Sequence, residues 1–255
     1  MPSPSPPTLL ARLTHALTRS ARKKRYKALK ARLGEIGSPA EVFKEIYADN
    51  LWNDAESRSG PGSTMAQTAS LRPALEKLLA NRKVTRFLDA PCGDFHWMRA
   101  VPTPPGMHYI GGDIVPALIA DTQAAYGSDL RSFQVLDITT GPLPPADLWM
   151  CRDCLFHLSY ADIARALARF VESGIPLLLT TTYPLQPNDP FDNRDIVTGD
   201  ARRIDLSRDP FNFPEPAERL SDLTPGASPR ELGLWTREQV LPVAAAMAAR
   251  FPESR

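Results

Sequence analysis

Apolar positions change period along the chain, and that change divides it. Leu9, Leu10, Leu13 and Leu17, then Tyr26, Leu29 and Leu33, recur at helical spacing, so the first part predicts an amphipathic helix. Ser38-Pro39 places a capping hydroxyl and a first-turn proline before Val42, Phe43, Ile46 and Tyr47, which share one helical face. The run 57–63, Ser-Arg-Ser-Gly-Pro-Gly-Ser, reads as a loop, and a helix from Met65 to Ala80 follows with Leu71, Leu75, Leu78 and Leu79 inward. From there short apolar runs alternate with helical ones. Strands are predicted at Val84–Leu88, Tyr109–Asp113, Phe133–Leu136, Asp147–Cys151 and Ile175–Thr182, and helices near Trp97–Val101, Val115–Tyr126 and Tyr160–Glu172. Such alternation implies a mostly parallel sheet covered by helices. Beyond Tyr183 the pattern breaks in a stretch rich in Pro, Asp and Asn that extends to Pro229. Within it Arg203–Leu206 is expected as a strand; just after it Leu232–Trp235 is another, and a last helix over Thr236–Phe251 is capped by Thr236.

Composition narrows the class. At 255 residues and 43% hydrophobic the chain has material for one α/β domain with an extension. No apolar run approaches the roughly 20 residues of a membrane span, and no signal-peptide core follows Met1. Three cysteines, one pair spaced Cys151-x-x-Cys154, fit a reduced cytoplasmic protein, and no second ligand pair points to a metal. The net charge of +1 gives no global attraction to nucleic acid, and the body interleaves no aromatics with basic residues. Charge is uneven, however: no acidic residue precedes Glu35, while Arg12, Arg19, Arg22, Lys23, Lys24, Arg25, Lys27, Lys30 and Arg32 are basic. Residues 1–37 therefore read as a basic arm, partly disordered through its Pro/Ser start. The arm reads as a solvated segment or a weak contact for a membrane surface or polyanion, and a mitochondrial presequence has a similar pattern.

The chemistry concentrates at strand ends, where ligands of open α/β sheets bind. The first predicted strand ends in Asp89 and turns through Pro91-Cys92-Gly93-Asp94-Phe95; glycine there permits positive φ and close backbone approach. Amides at such a turn favour an anionic group. Asp113 closes the second strand about twenty residues on, suited to ribose hydroxyls, and Asp137 closes the third at the depth of an adenine amine. Three carboxylates at successive strand ends make one adenosyl-sized pocket. The absence of Gly-x-Gly-x-x-Gly disfavours a dinucleotide.

The series Phe87-Leu88-Asp89-Ala90-Pro91-Cys92-Gly93-Asp94, Gly112-Asp113-Ile114 and Leu136-Asp137-Ile138 resembles the nucleoside-binding motifs of class I S-adenosylmethionine-dependent methyltransferases. The likeness covers about residues 84–183. It departs from the usual Asp-x-Gly-x-Gly-x-Gly loop by Pro91 at the first glycine and Phe95 at the last. With Arg152-Asp153-Cys154-Leu155-Phe156-His157-Leu158-Ser159, the loop resembles a bacterial-type subgroup of that family. The resemblance implies a Rossmann-like three-layer α/β/α sandwich with an N-terminal helical extension and S-adenosyl-L-methionine as cofactor. The expected division is a helical cap over 38–82, a donor-binding core over 83–183, an acceptor-side insertion over 184–235 and a C-terminal helix over 236–251. By similarity Asp89 and Asp94 lie near the donor's amino group, Gly93 with Pro91, Cys92 and Phe95 against its methionine part, Asp113 with Ile114 on the ribose, and Asp137 with Ile138 near adenine.

In this fold the fourth strand end faces donor and acceptor together. Asp153 and His157 are the two candidate bases, although His157 equally suits a helix cap, and Arg152 suits the donor carboxylate or a neighbouring aspartate. Trp52 and Glu56 in a flexible loop, and Asn193, Arg202 and Arg203 after the fifth strand, are the expected acceptor readers. The expected reaction is methyl transfer to oxygen, less so nitrogen, of a small molecule or glycan. The competing readings are a non-catalytic donor-binding scaffold and an RNA methyltransferase whose footprint is the basic arm.

Overall fold

The computed structural model describes residue 21 and residues 24–184, 193–223 and 229–252. Seven strands form one sheet: β1 Arg86–Asp89, β2 His108–Asp113, β3 Arg131–Val135, β4 Leu148–Cys151, β5 Leu177–Thr182, β6 Glu218–Ser221 and β7 Glu231–Thr236. Their spatial order is β3-β2-β1-β4-β5-β7-β6, with β1 to β5 parallel and β7 antiparallel to both neighbours. The order reverses between β1 and β4, and the crevice at such a point is where open sheets take ligands.

Alternation along the strands feeds two cores. Phe87, Leu148, Met150, Leu179 and Leu234 point to one face and bury against α3 (Leu71–Asn81) and α4 (Pro116–Tyr126). Leu88, Trp149, Cys151, Leu178 and Trp235 point to the other and meet α5 (Tyr160–Ser173) and α6 (Arg237–Arg250). These are the three layers of a Rossmann-like sandwich. The Thr236 hydroxyl accepts from Gln239 N and the Gln239 side chain returns to Thr236 N, a capping box that fixes the start of α6.

A third core lies outside the sheet. Residues 24–31 form helix α1, followed by a single 3-10 turn at Leu33–Glu35 and by α2 (Pro39–Ala48), whose N-cap is Ser38. Leu29 and Leu33 are buried against Val42, Ile46 and Leu51. The helical cap therefore begins within the segment expected as an arm ending at residue 37. Lys30 pairs with Asp200, Arg25 with Asp49 and Arg32 with Glu45, so three of the arm's cations neutralise acids of the cap and its neighbour. Residues 1–20, and with them the predicted Pro/Ser tail and the first leucine stripe, lie outside the described residues. Among the described residues, no helix is long and apolar enough to cross a membrane.

Several elements differ from the sequence pattern for local reasons. Residues 65–70 form turns rather than the start of α3, with Arg72 donating to Met65 O and Thr68 Oγ1. Near Trp97 only one 3-10 turn forms, Met98–Ala100, because Pro102, Pro104 and Pro105 prevent further helix. Ile204 and Leu206 are buried, yet residues 203–206 are not a strand. Tyr183 N donates to Ile204 O and Leu206 N to Thr182 Oγ1, so the segment crosses the end of β5 instead of pairing along it. The sheet edge is β6, whose Glu-Arg-Leu-Ser sequence buries only Leu220 and so carried no alternating signal.

Candidate functional site

One cleft opens at the β1/β4 reversal and contains about 1010 Å³ of empty space, part of it continuous with solvent. That is at the upper end of ordinary ligand sites. Asp89 from β1, Asp113 from β2 and Asp137 after β3 all line it, together with Pro91, Cys92, Gly93, Ile114 and Ile138. The loop after β1 is tied to β2: Cys92 N donates to Gly112 O, and Gly93 N to Asp113 Oδ2 at 3.2 Å. Asp113 Oδ1 accepts from Val115 N at 3.1 Å, fixing the approach to α4. Asp137 Oδ1 holds its own turn through Thr139 N and Oγ1. Gly93 takes φ of 56°, and a Cβ there would collide with Ser59 Oγ, so glycine is required by backbone and neighbour alike.

The electrostatics of this pocket are unsatisfied. Burial pushes the Asp89 carboxyl from its ordinary 3.8 up to about 7, although Tyr109 Oη donates to it at 2.7 Å and Arg152 acts against the rise. Burial likewise raises Asp113 to about 6 against the pull of its backbone donors. Neither carboxylate makes an ion pair among the described residues. Two buried anions aimed at one cavity suit a ligand that brings positive charge and hydroxyl donors.

A loop closes one side. Asp94 accepts from Ser57 Oγ at 2.9 Å and Arg58 N at 2.8 Å, and its own N–H donates to Ser59 Oγ at 2.8 Å. Ser59, Ser63 and Trp52 thereby line the cleft. Asp94, expected beside the ligand, instead latches this loop. Phe95 leaves the lining too: at φ of 57° its ring turns inward to Tyr109, Tyr126 and Phe133, with centroids 5.0–5.3 Å away. Glu56 braces the loop by accepting from Met65 N and meeting His96 Nε2 at 2.8 Å.

Beyond β4 lies a charged cluster. Arg152 Nε donates to Asp222 Oδ2 at 3.0 Å, its Nη2 to Gly62 O at 2.8 Å, and its Nη1 lies 3.2 Å from Asp153 Oδ2. Arg230 Nη1 contacts that same Asp153 oxygen at 3.0 Å, and its Nη2 contacts Asp222 at 3.1 Å. Of the two roles open to Arg152, the structure shows the aspartate pairing. Asp153, at φ of 50°, is a structural counter-ion as much as a cleft wall. Asp222 and Arg230 were not foreseen. They sit on or beside β6 and β7, about 70 residues downstream, and no local motif marks them.

His157 faces the cleft from the 3-10 turn Leu155–His157. Its Nδ1 lies 2.8 Å from Asp200 O; a carbonyl only accepts, so Nδ1 carries the proton and the neutral ring keeps its lone pair on Nε2. Burial lowers its pKa, the Asp200 bond and the Asp153 charge opposing that fall. Its ring packs 5.9 Å from Trp52 and 6.5 Å from Phe43.

The acceptor readers expected after β5 are used elsewhere. Asn193 Nδ2 donates to Asp205 O and Asp209 O, and Asp205 N donates back to its Oδ1. Arg202 is buried beneath the His157 turn and donates to Leu155 O and Leu158 O. Arg203 does not line the cleft. Residues 185–192 and 224–228 of that insertion lie outside the described residues. No group of three or more ligating side chains suited to a metal occurs among the described residues.

No protein-family model matches the chain, and no curated protein matches it. Solved structures do. PigF with S-adenosylhomocysteine superposes at TM-score 0.57 and 15% identity over 86% of this chain and 70% of that one. Magnesium protoporphyrin IX methyltransferase (ChlM) from Synechocystis PCC 6803, with bound S-adenosylhomocysteine, gives 0.53 and 12% over 78% and 100%. Human N-acetylserotonin methyltransferase with S-adenosylmethionine gives 0.51 and 15% over 76% of this chain, which spans only 58% of that enzyme. The fold is that of the class I S-adenosylmethionine-dependent methyltransferases.

Proposed function

We propose that the chain is an S-adenosylmethionine-dependent methyltransferase acting on a hydroxyl of a small molecule or glycan. One observation carries this reading: Asp89, Asp113 and Asp137, from three neighbouring strand ends, line a single cleft of nucleoside-plus-acceptor size. The residues fit the group, because Asp89 and Asp113 are buried without an ion pair among the described residues and retain acceptor capacity. Asp113 accepts from the backbone N–H groups of Gly93, Val115 and Ile114 and retains lone pairs for ribose hydroxyls. Asp89 offers charge to an ammonium group, and Ile114 and Ile138 provide apolar surface to a base.

Bound there, S-adenosylmethionine would supply a methyl already activated by its sulfonium. The chain's own task is to align the acceptor, exclude water and accept a proton. His157 lines the cleft with its Nδ1 proton held by Asp200 O, which leaves Nε2 unprotonated and favours it as the proton acceptor. Asp153 shares one oxygen between two guanidinium groups, which favours a part in holding the β4 end over one as the base. An open cleft beside both residues favours an enzyme over a plugged binding scaffold.

Asp113→Ala tests the donor site by calorimetry with S-adenosylhomocysteine. Hydrogen bonds to a charged group contribute about 1.5–3 kcal/mol, so affinity falls by about 10- to 150-fold. Unchanged affinity in a folded variant refutes the ribose assignment.

A further inference from the structure

The cleft wall beyond the strand ends carries a run of aromatic side chains, with Ser59 and Ser63 as the hydroxyls beside it. Pro39, Phe43 and Tyr47 stand four residues apart on one face of α2 and all line the cleft. Trp52 continues that wall to His157, the two rings tilted by 34° at 5.9 Å. The charged groups on this side, Arg152 and Asp153, are engaged with Asp222 and Arg230. Asn193 and Arg202, the side chains that sequence suggested for reading hydroxyl-rich acceptors, serve backbone carbonyls away from the cleft. A saccharide would have to surrender water at many hydroxyls with few protein partners in exchange, at a cost of about 1–3 kcal/mol for each group left unsatisfied. A planar ring with one hydroxyl needs an apolar slot and a single acceptor.

We propose that the acceptor is a planar aromatic hydroxyl, its ring held against Phe43 and Trp52 and its oxygen directed to His157 Nε2. This inference rests on the methyl-transfer reading above. The acceptor oxygen forms its bond to the methyl carbon as the carbon–sulfur bond breaks, the electron pair staying on sulfur, and the hydroxyl proton passes to Nε2. Charge balances, since a sulfonium is consumed and an imidazolium appears. Acidity points the same way. Burial makes His157 a weaker base than free histidine. A phenolic hydroxyl ionises near 10, within reach of such a base, whereas an aliphatic one resembles water at about 15.7.

The test uses the full chain and two probes, 7-hydroxycoumarin and 4-hydroxycinnamate, with cellobiose as the saccharide comparison. Calorimetry with S-adenosylhomocysteine comes first, because failure to bind it overturns the donor reading itself. With the donor product bound, the phenolic probes are expected to bind at least 10-fold more tightly than cellobiose. Trp52→Ala should weaken probe binding at least 10-fold with S-adenosylhomocysteine affinity within about threefold. Because Trp52→Ala can disturb the loop, His157→Gln serves as a second variant; it should bind the probes within about threefold of the parent while methyl transfer from S-adenosylmethionine to 7-hydroxycoumarin falls at least 100-fold. If the product binds and neither probe does, or cellobiose binds more tightly, the aromatic acceptor is wrong while the donor site stands.

Discussion

Asp89→Asn separates what the pocket costs the fold from what it gives the ligand. Asp89 is 2% exposed, with Tyr109 Oη as its side-chain donor, and burial lifts its carboxyl from 3.8 to about 7. A carboxyl raised on folding favours the folded state below its unfolded pKa and opposes it increasingly as pH rises to the folded value. At pH 8, where the group is ionised in both states, the rise from 3.8 to about 7 corresponds to about 4 kcal/mol of opposition to folding. Asparagine removes the charge and keeps an oxygen for Tyr109 Oη, but buries an amide that finds fewer partners, at about 1–3 kcal/mol. The ligand-free variant should therefore be more stable at pH 8 by about 1–3 kcal/mol, raising Tm by about 2–12 °C for a chain of this length. At pH 5 the opposition shrinks to about 2 kcal/mol and the gain should vanish. In the same variant, affinity for S-adenosylhomocysteine should fall by about 10-fold or more, because its ammonium loses a buried counter-charge. Paired thermal scans at the two pH values and calorimetry make the comparison. A variant less stable than the parent at both pH values would refute the account of Asp89 as a destabilising buried anion.

Leu29→Ala should cost about 2–4 kcal/mol in urea denaturation, since Leu29 is 1% exposed within the cap core; a loss under about 1 kcal/mol would show that α1 is not integral to the fold. Gly93→Ala should weaken S-adenosylhomocysteine binding by at least 10-fold, because a side chain at φ of 56° is strained and meets Ser59 Oγ. Unaltered affinity there would mean that the 57–63 loop does not shape the donor pocket.

Much of the fold was legible because its signals are local. The buried parallel strands are short runs without charge in their interior, as in the three leucines and three threonines of Leu177–Thr182, and the ends of their neighbours carry the carboxylates that topology then gathers. What sequence did not reveal depends on distant partners. Phe95 and Asp94 occupy motif positions, but the aromatic cluster draws one inward and the serines of a loop some 35 residues upstream engage the other. Asp222 and Arg230 acquire meaning only when β6 and β7 fold back beside β5. Arg202 looked like a surface reader; its burial under the His157 turn, with two backbone carbonyls as acceptors, makes it a support for that turn. The alternation at Ile204 and Leu206 reported burial correctly and pairing incorrectly, because period 2 describes a face, not a neighbour.

The three strand-end aspartates are expected to surround one methyl donor. A crystal structure of the chain with S-adenosylhomocysteine tests it most directly. The ribose is expected within hydrogen-bonding distance of Asp113, the amino group toward Asp89 and the sulfur facing the space beside His157. The product bound elsewhere, or a cleft closed by its own side chains with the product excluded, would contradict it.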